Sequence, residues 1–269
     1  MTVDASGDWK RWHEEREAQV SAPYGPLALT GTLPQCLGRP GGTPTVEDHP
    51  DGLLPGVPGI WAADGDGVRL TVTAADGLAV DGEPFAGEIH LAADREPAAR
   101  VTLGERRLVV LVREGVWGVR DYDPAAATRR AFRGIDATPY DPRWSVPGRF
   151  TPYDDRQAVR VDTADGVERA LVLAGELAFT VAGRELTLQV AEQADGRLWA
   201  VFADPTSGHT SYRFRFLYSA APDADGSTTV DLNRAQLPPC AFADHFICPF
   251  PPPGNTLGLA VEAGERLLV

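Results

Sequence analysis

A mostly-β fold is what this sequence predicts: antiparallel sheets forming barrel or sandwich units, with a short N-terminal helix in front. Three observations carry that prediction. Eight Asp-Gly dipeptides punctuate the chain, beginning at Asp51, Asp64, Asp66, Asp76, Asp81, Asp165, Asp195 and Asp225. Asp-Gly between apolar runs marks a tight hairpin, because both central residues of a type I′ turn need positive φ. The runs that they separate are short and strand-like, at 68–73, 88–91, 107–112, 116–120, 158–161, 169–173, 177–181, 185–190, 198–202 and 212–218. No strand–helix–strand alternation interrupts them, which argues against a parallel Rossmann-type sheet.

The one helical pattern runs over residues 8–20. Trp9, Trp12, Arg16 and Val20 fall near one face, and Lys10, Glu14, Glu15 and Glu17 on the other. Asp8 or Ser6 is placed to cap it. From 23 to 59 glycine and proline are too dense for regular structure, which predicts a wrapping loop or a lid. A second break is expected at 136–153, where Pro139, Pro142, Pro147 and Pro152 surround Trp144 and Phe150. It divides the chain into 1–140, with helix, loop and a first β unit, and 141–269, a barrel-like unit closed by a Pro/Cys-rich strap.

Composition narrows the partners. A net charge of -13 disfavours nucleic acid and anionic membrane surfaces, both of which call for a basic face. Lys10 is the single lysine, so the positive charge is almost all arginine. No cationic and apolar leader opens the sequence, and no run is long enough to span a bilayer. A cytoplasmic protein, monomer or homodimer, is the expectation. In that compartment three cysteines do not imply a disulfide framework.

Three places invite a chemical reading. In the run 212–218, period two puts Tyr212, Phe214, Phe216 and Tyr218 on one face and Arg213, Arg215 and Leu217 on the other. Either the arginines are solvated, or they line a barrel and grip a carboxylate or phosphate. Upstream, Asp204-Pro205-Thr206-Ser207-Gly208-His209 reads as an Asx-type turn, or as an Asp204/His209 acid–base pair at a barrel mouth. Cys240, His245 and Cys248 have C-x4-H-x2-C spacing, with Cys36 as an available fourth ligand for zinc. The paired C-x2-C knuckles of structural zinc are missing, so no metal is assigned and buried packing thiols are preferred. No G-x-S-x-G, H-E-x-x-H, Walker or dinucleotide motif follows a strand, and no cofactor is expected.

The C-terminal half carries a more specific pattern. Phe202-Ala203-Asp204-Pro205-Thr206-Ser207-Gly208, Tyr212 and Arg215 precede Asp231-Leu232-Asn233-Arg234-Ala235. Pro238-Pro239-Cys240-Ala241-Phe242, Cys248-Pro249, Asn255 and Ala263-Gly264-Glu265 follow. With Trp9-x-x-Trp12-x-x-x-Arg16 and Phe132-Arg133-Gly134-Ile135, this order resembles the bacterial family catalogued as domain of unknown function 1684. The resemblance implies a mostly-β protein with recurrent polar positions at Asp204, Tyr212, Arg215, Asp231, Asn233, Cys240, Cys248, Asn255 and Glu265. His245 and Cys36 lie outside that pattern. The chain departs from it at Pro252-Pro253-Gly254-Asn255-Thr256-Leu257, where the family carries a Glu/Arg pair, and around 25–37, where it carries tryptophans. A divergent member adapted to another ligand is the expectation.

Two functional classes follow. One is an enzyme without organic cofactor, of hydrolase, lyase, isomerase or cyclase type. There Asp204 and Tyr212 are catalytic, and Arg215, Arg213 and Asn233 bind a small molecule, an anionic one among the candidates. The other is a non-catalytic binding or scaffold protein of the same fold, with Asp231, Asn233, Asn255 and Glu265 anchoring the strap.

Overall fold

A computed structural model describes residues 4–33, 56–95, 98–113 and 115–269. Cys36, the Asp51-Gly52 turn and most of the expected 23–59 loop lie outside the described residues. The protein is mostly β, with 47% of the described residues in strands, several antiparallel sheets including a half-barrel, and one N-terminal helix, α1 (Ala5–Val20). Asp4 opens that helix, its carboxylate accepting from Gly7 N at 3.0 Å, so the cap falls just ahead of the expected Asp8 or Ser6. No helix among the described residues is long and apolar enough to cross a membrane.

The chain divides into two compact units. One is Gln19–Phe132; the other joins the stretch up to Ala18 to Arg133–Val269. The first holds β1 (Leu29–Leu33), β2 (Ile60–Asp64), β3 (Gly67–Val72), β4 (Leu78–Val80), β5 (Glu83–Pro84), β6 (Gly87–Leu91), β7 (Val101–Leu103), β8 (Arg106–Arg113) and β9 (Val116–Tyr122), then the short α2 (Ala127–Ala131). Its sheets run β1-β9-β8-β7-β4-β5 and β2-β3-β6. Alternation works as predicted here: in β3, Val68, Leu70 and Val72 are buried while Arg69 and Thr71 face out. These residues join Trp61, Leu91, Leu108, Val110 and Trp117 in one apolar core.

The second unit holds β10 (Ile135–Ala137), β11 (Ser145–Asp162), β12 (Glu168–Val181), β13 (Arg184–Glu192), β14 (Leu198–Phe202), β15 (Arg215–Ser219), β16 (Ser227–Asp231) and β17 (Glu265–Leu268). Six of them form one antiparallel sheet, ordered β15-β14-β13-β12-β11-β16, and β10 pairs with β17. Leu177, Phe179, Leu188, Val190, Phe202 and Leu217 fill its core. The face of α1 singled out by its tryptophans packs on this unit. Trp9 Nε1 donates to the Asn233 carbonyl at 2.8 Å, and Arg16 Nη2 to the Leu237 carbonyl at 3.0 Å. Thus the helix packs with the C-terminal β unit, although it precedes the other in sequence.

The hairpin turns explain much of this topology. Asp81 and Gly82 both have positive φ (52° and 87°) between paired Val80 and Glu83, the geometry that the dipeptide predicts. The β12–β13 turn has the same form, but its residues are Ala182 (φ 50°) and Gly183 (φ 73°), a pair that no Asp-Gly search finds.

Two expectations need correcting. The proline-punctuated break at 136–153 instead contains β10 and the first half of β11. Pro152 is tolerated because the β11–β12 register shifts between Pro152 and Gln157, where a ladder donor is not required. The strand expected at 212–218 begins only at Arg215, since Tyr212 N is drawn away to the Arg266 carbonyl at 2.8 Å.

Candidate functional site

Asp204 follows β14 and closes a tight turn. Its Oδ1 accepts from Thr206 N at 2.8 Å, and its own N–H donates to Ser207 Oγ at 3.1 Å. That is the Asx turn, read from the sequence as the plainer alternative. The same carboxylate also meets Arg215, with Nη2 to Oδ2 at 2.7 Å and side-chain exposures of 1% and 0%. Arg215 Nη1 donates to the Ala263 carbonyl at 2.6 Å and the Glu265 carbonyl at 3.3 Å, and Nη2 to Val261 O at 3.0 Å. Val261 N returns a bond to Asp204 Oδ1 at 3.2 Å. Burial pushes the guanidinium pKa down, and the neighbouring Asp204 pushes it back up. A fork-shaped cation with several fixed acceptors suits a buried clamp on the 261–265 backbone. His209 is exposed and makes no hydrogen bond to Asp204 among the described residues.

Strand register explains why Arg215 is buried. It pairs with Phe202 and shares its face with Leu217, which points into the core. The opposite face is covered as well: Phe216 packs edge-on to Trp199 at 5.1 Å between ring centres. Neither face of β15 is the wet face that the alternation rule supplied, so the reading of Arg215 as solvated is corrected.

Tyr212 and Arg213 lie ahead of that strand and turn elsewhere. Tyr212 Oη donates to the Cys240 carbonyl at 3.1 Å and reaches the Cys240 sulfur at 3.7 Å. Arg213 is exposed, its guanidinium 4.7 Å from the Phe250 ring centre and 5.4 Å from that of Phe214. Cys240 and Cys248 are both buried and reduced, and Cys240 N donates to the Cys248 sulfur at 3.3 Å. A hydrogen bond from Cys248, with smaller contributions from Tyr212 and Arg213, draws the Cys240 thiol down to about 7. Burial, with the Cys240 charge beside it, drives Tyr212 up to about 12.

Asn233 is in a third place. Its Oδ1 accepts from Asp141 N at 2.9 Å, while Nδ2 donates to Asp141 O at 3.0 Å and Asp231 Oδ1 at 2.9 Å. Asn255 is bound in the same manner, to Gln189 N, Gln189 O and Val201 O. Glu265 accepts from Leu237 N at 2.6 Å, with Arg16 Nε 3.4 Å from its other oxygen. Burial raises the Glu265 pKa and Arg16 opposes the rise. The five expected site residues therefore separate into a buried Asp204–Arg215 clamp, the Tyr212–Arg213 pair over Cys240, and Asn233 beneath α1.

Open space lies on the outer face of the half-barrel. A cleft of about 520 Å³ is lined by Pro147, Arg149, Ala178, Thr180, Glu185 and Thr187. Beside it a second, of about 460 Å³, has Arg149, Thr151, Glu192 and Asp223 on its walls. Arg149 edges both, and its guanidinium has no hydrogen-bond or ion-pair partner among the described residues. Sequence reading missed it because it sits in the stretch taken as a break. Read as a strand, that stretch puts Arg149 opposite Ala178 with its side chain turned outward. No cluster of three His, Cys, Asp or Glu side chains able to hold a metal occurs among the described residues.

Fold and polar anchors together define a mostly-β protein whose C-terminal unit is a half-barrel strapped by buried side-chain bonds. The profile described as Protein of unknown function (DUF1684) matches residues 130–266, and the chain belongs to that family. The chain is also similar to an uncharacterised protein of Haloarcula marismortui solved by solution NMR. The two share 33% identity over 51% of this chain and 78% of that one, at a TM-score of 0.43. No curated protein matches.

Proposed function

We propose that this chain is a small-molecule-binding protein, and that the ligand is anionic and sits on the outer face of the half-barrel against Arg149. The supporting observation is the uncommitted Arg149 guanidinium at the junction of two clefts, each within the size range of small-ligand sites. Two of the carboxylates nearby are already engaged. Glu192 pairs with Arg156 at 2.9 Å, and Asp225 is held low by hydrogen bonds from Ser227, with the Arg149 charge adding to the effect. A guanidinium with no partner of its own among the described residues favours a carboxylate or phosphate ligand, which it can bind with two parallel bonds.

Binding is preferred to catalysis because both Asp204 oxygens are already bonded inside a closed core, with no room for a substrate proton. The test is titration of the full chain with a panel of small carboxylates and phosphate monoesters, followed by native mass spectrometry. Arg149→Gln is expected to weaken the bound class about tenfold or more, and Arg213→Gln to leave it unchanged. Equal binding by Arg149→Gln and the parent chain, or no binding of any panel member, overturns the reading.

A further inference from the structure

Cys240 and Cys248 are set apart from ordinary packing thiols by what surrounds them. They lie eight positions apart at the two ends of one loop, and the Cys240 N–H points at the Cys248 sulfur from 3.3 Å. Hydrogen bonding from the Cys248 side chain is also the largest cause of the lowered Cys240 pKa. On its other side Cys240 receives the Tyr212 hydroxyl at 3.7 Å and the Arg213 guanidinium, whose outer surface faces solvent. An inert core cysteine has apolar neighbours, and burial holds it protonated. Here a thiol, a phenol and a cation all converge on one sulfur. None of this rests on the Arg149 cleft.

We propose that Cys240 and Cys248 are a peroxide-sensitive dithiol, in which Cys240 is oxidised first and Cys248 resolves it into an intramolecular disulfide. In the first step the Cys240 thiolate attacks one oxygen of a hydroperoxide. An S–O bond forms, the O–O bond breaks, and the departing hydroxide takes the thiol proton as water. In the second step the Cys248 sulfur attacks the Cys240 sulfenic acid. The S–S bond forms, the S–O bond breaks, and a second water leaves. Two thiols are oxidised and one peroxide is reduced. The burial of both cysteines, 6% and 4% exposed, fixes the class of oxidant. Hydrogen peroxide is small enough to pass Arg213, whereas a protein disulfide is too large to reach either sulfur. Tyr212 and Arg213 are positioning residues that, after the larger effect of Cys248, favour the Cys240 thiolate.

The full chain carrying Cys36→Ser is treated with hydrogen peroxide, quenched, unfolded and alkylated, and its peptides are mapped by mass. The expected result is a Cys240–Cys248 disulfide that escapes alkylation and is restored to two alkylated thiols by dithiothreitol. In Cys248→Ser the sulfenic acid is expected to persist on Cys240 and to be trapped by dimedone. Arg213→Gln, on the surface, is expected to slow disulfide formation several-fold. The proposal is overturned if both thiols remain alkylable after peroxide treatment of the folded chain. It is equally overturned if Cys248 is the one trapped by dimedone, or if Arg213→Gln oxidises at the parent rate. Because the disulfide is read in the Cys36→Ser chain itself, a folding defect in either further variant leaves the main result standing.

Discussion

Arg213 and Arg215 are two positions apart and meet opposite fates. Arg215 is closed inside the C-terminal unit, paired with Asp204 and bonded to three carbonyls of the final segment. Arg213 is exposed and lies across the rings of Tyr212, Phe214 and Phe250. Strand alternation treats the two as equivalent. They differ because the chain bends at Arg213 and becomes a strand only at Arg215, after which both faces are covered. A buried arginine in this fold is a backbone clamp; an exposed one beside a polar cluster is available for chemistry. The same contrast moves the search for function away from Asp204–Arg215.

The strongest way to break the comparison is to remove one member of the clamp. Asp204→Ala leaves a buried, unpartnered guanidinium and is expected to cost about 3–5 kcal/mol in urea unfolding. The double variant Asp204→Leu with Arg215→Met is expected to lose less than the single one, because no charge is left stranded. A double variant as unstable as Asp204→Ala would show that the pair is not a closed structural unit.

A smaller effect comes from the thiol. The Cys240 pKa is lowered from its ordinary 9.0 to about 7 in the folded state, so folding favours the thiolate. Its contribution to stability is fully present above pH 9 and is lost as pH falls through 7. The parent chain is therefore expected to gain stability over Cys240→Ser between these limits, with thiolate absorbance rising over a midpoint near 7. Parallel stability curves for the two chains would remove the basis for a primed sulfur. The smallest effect is expected at Arg213. Its replacement by Gln removes surface cation–π contacts and is expected to shift unfolding by less than about 1 kcal/mol. A larger loss would mean that Arg213 is structural after all, and the contrast with Arg215 would fail.

Much of the fold is legible because its signals are local. The Asp81-Gly82 hairpin, the alternation of β3 and the tryptophan face of α1 each follow from a few neighbouring residues and their backbone preferences. The β12–β13 turn escapes the same search, because Ala182-Gly183 adopts positive φ only under the strain of its two paired strands. At the site, the sequence isolates Asp204, Tyr212, Arg215, Asn233 and the Cys240/Cys248 spacing as chemically unusual. It does not assign them to shared or separate places. Arg149 is lost in a proline-rich stretch whose strand is rescued by a register shift at Pro152.

What the sequence by itself determined is the class of fold, the turns, the helix and the set of polar residues worth explaining. Their partners were decided only by tertiary structure. Asp204 meets Arg215 across a turn, both meet a C-terminal segment some fifty positions away, and α1 is bound to the unit farthest from it in sequence. Backbone propensity acts over a few residues, so it can be read along the chain. Whether a guanidinium is buried or wet depends on what covers it, and that covering comes from remote parts of the chain.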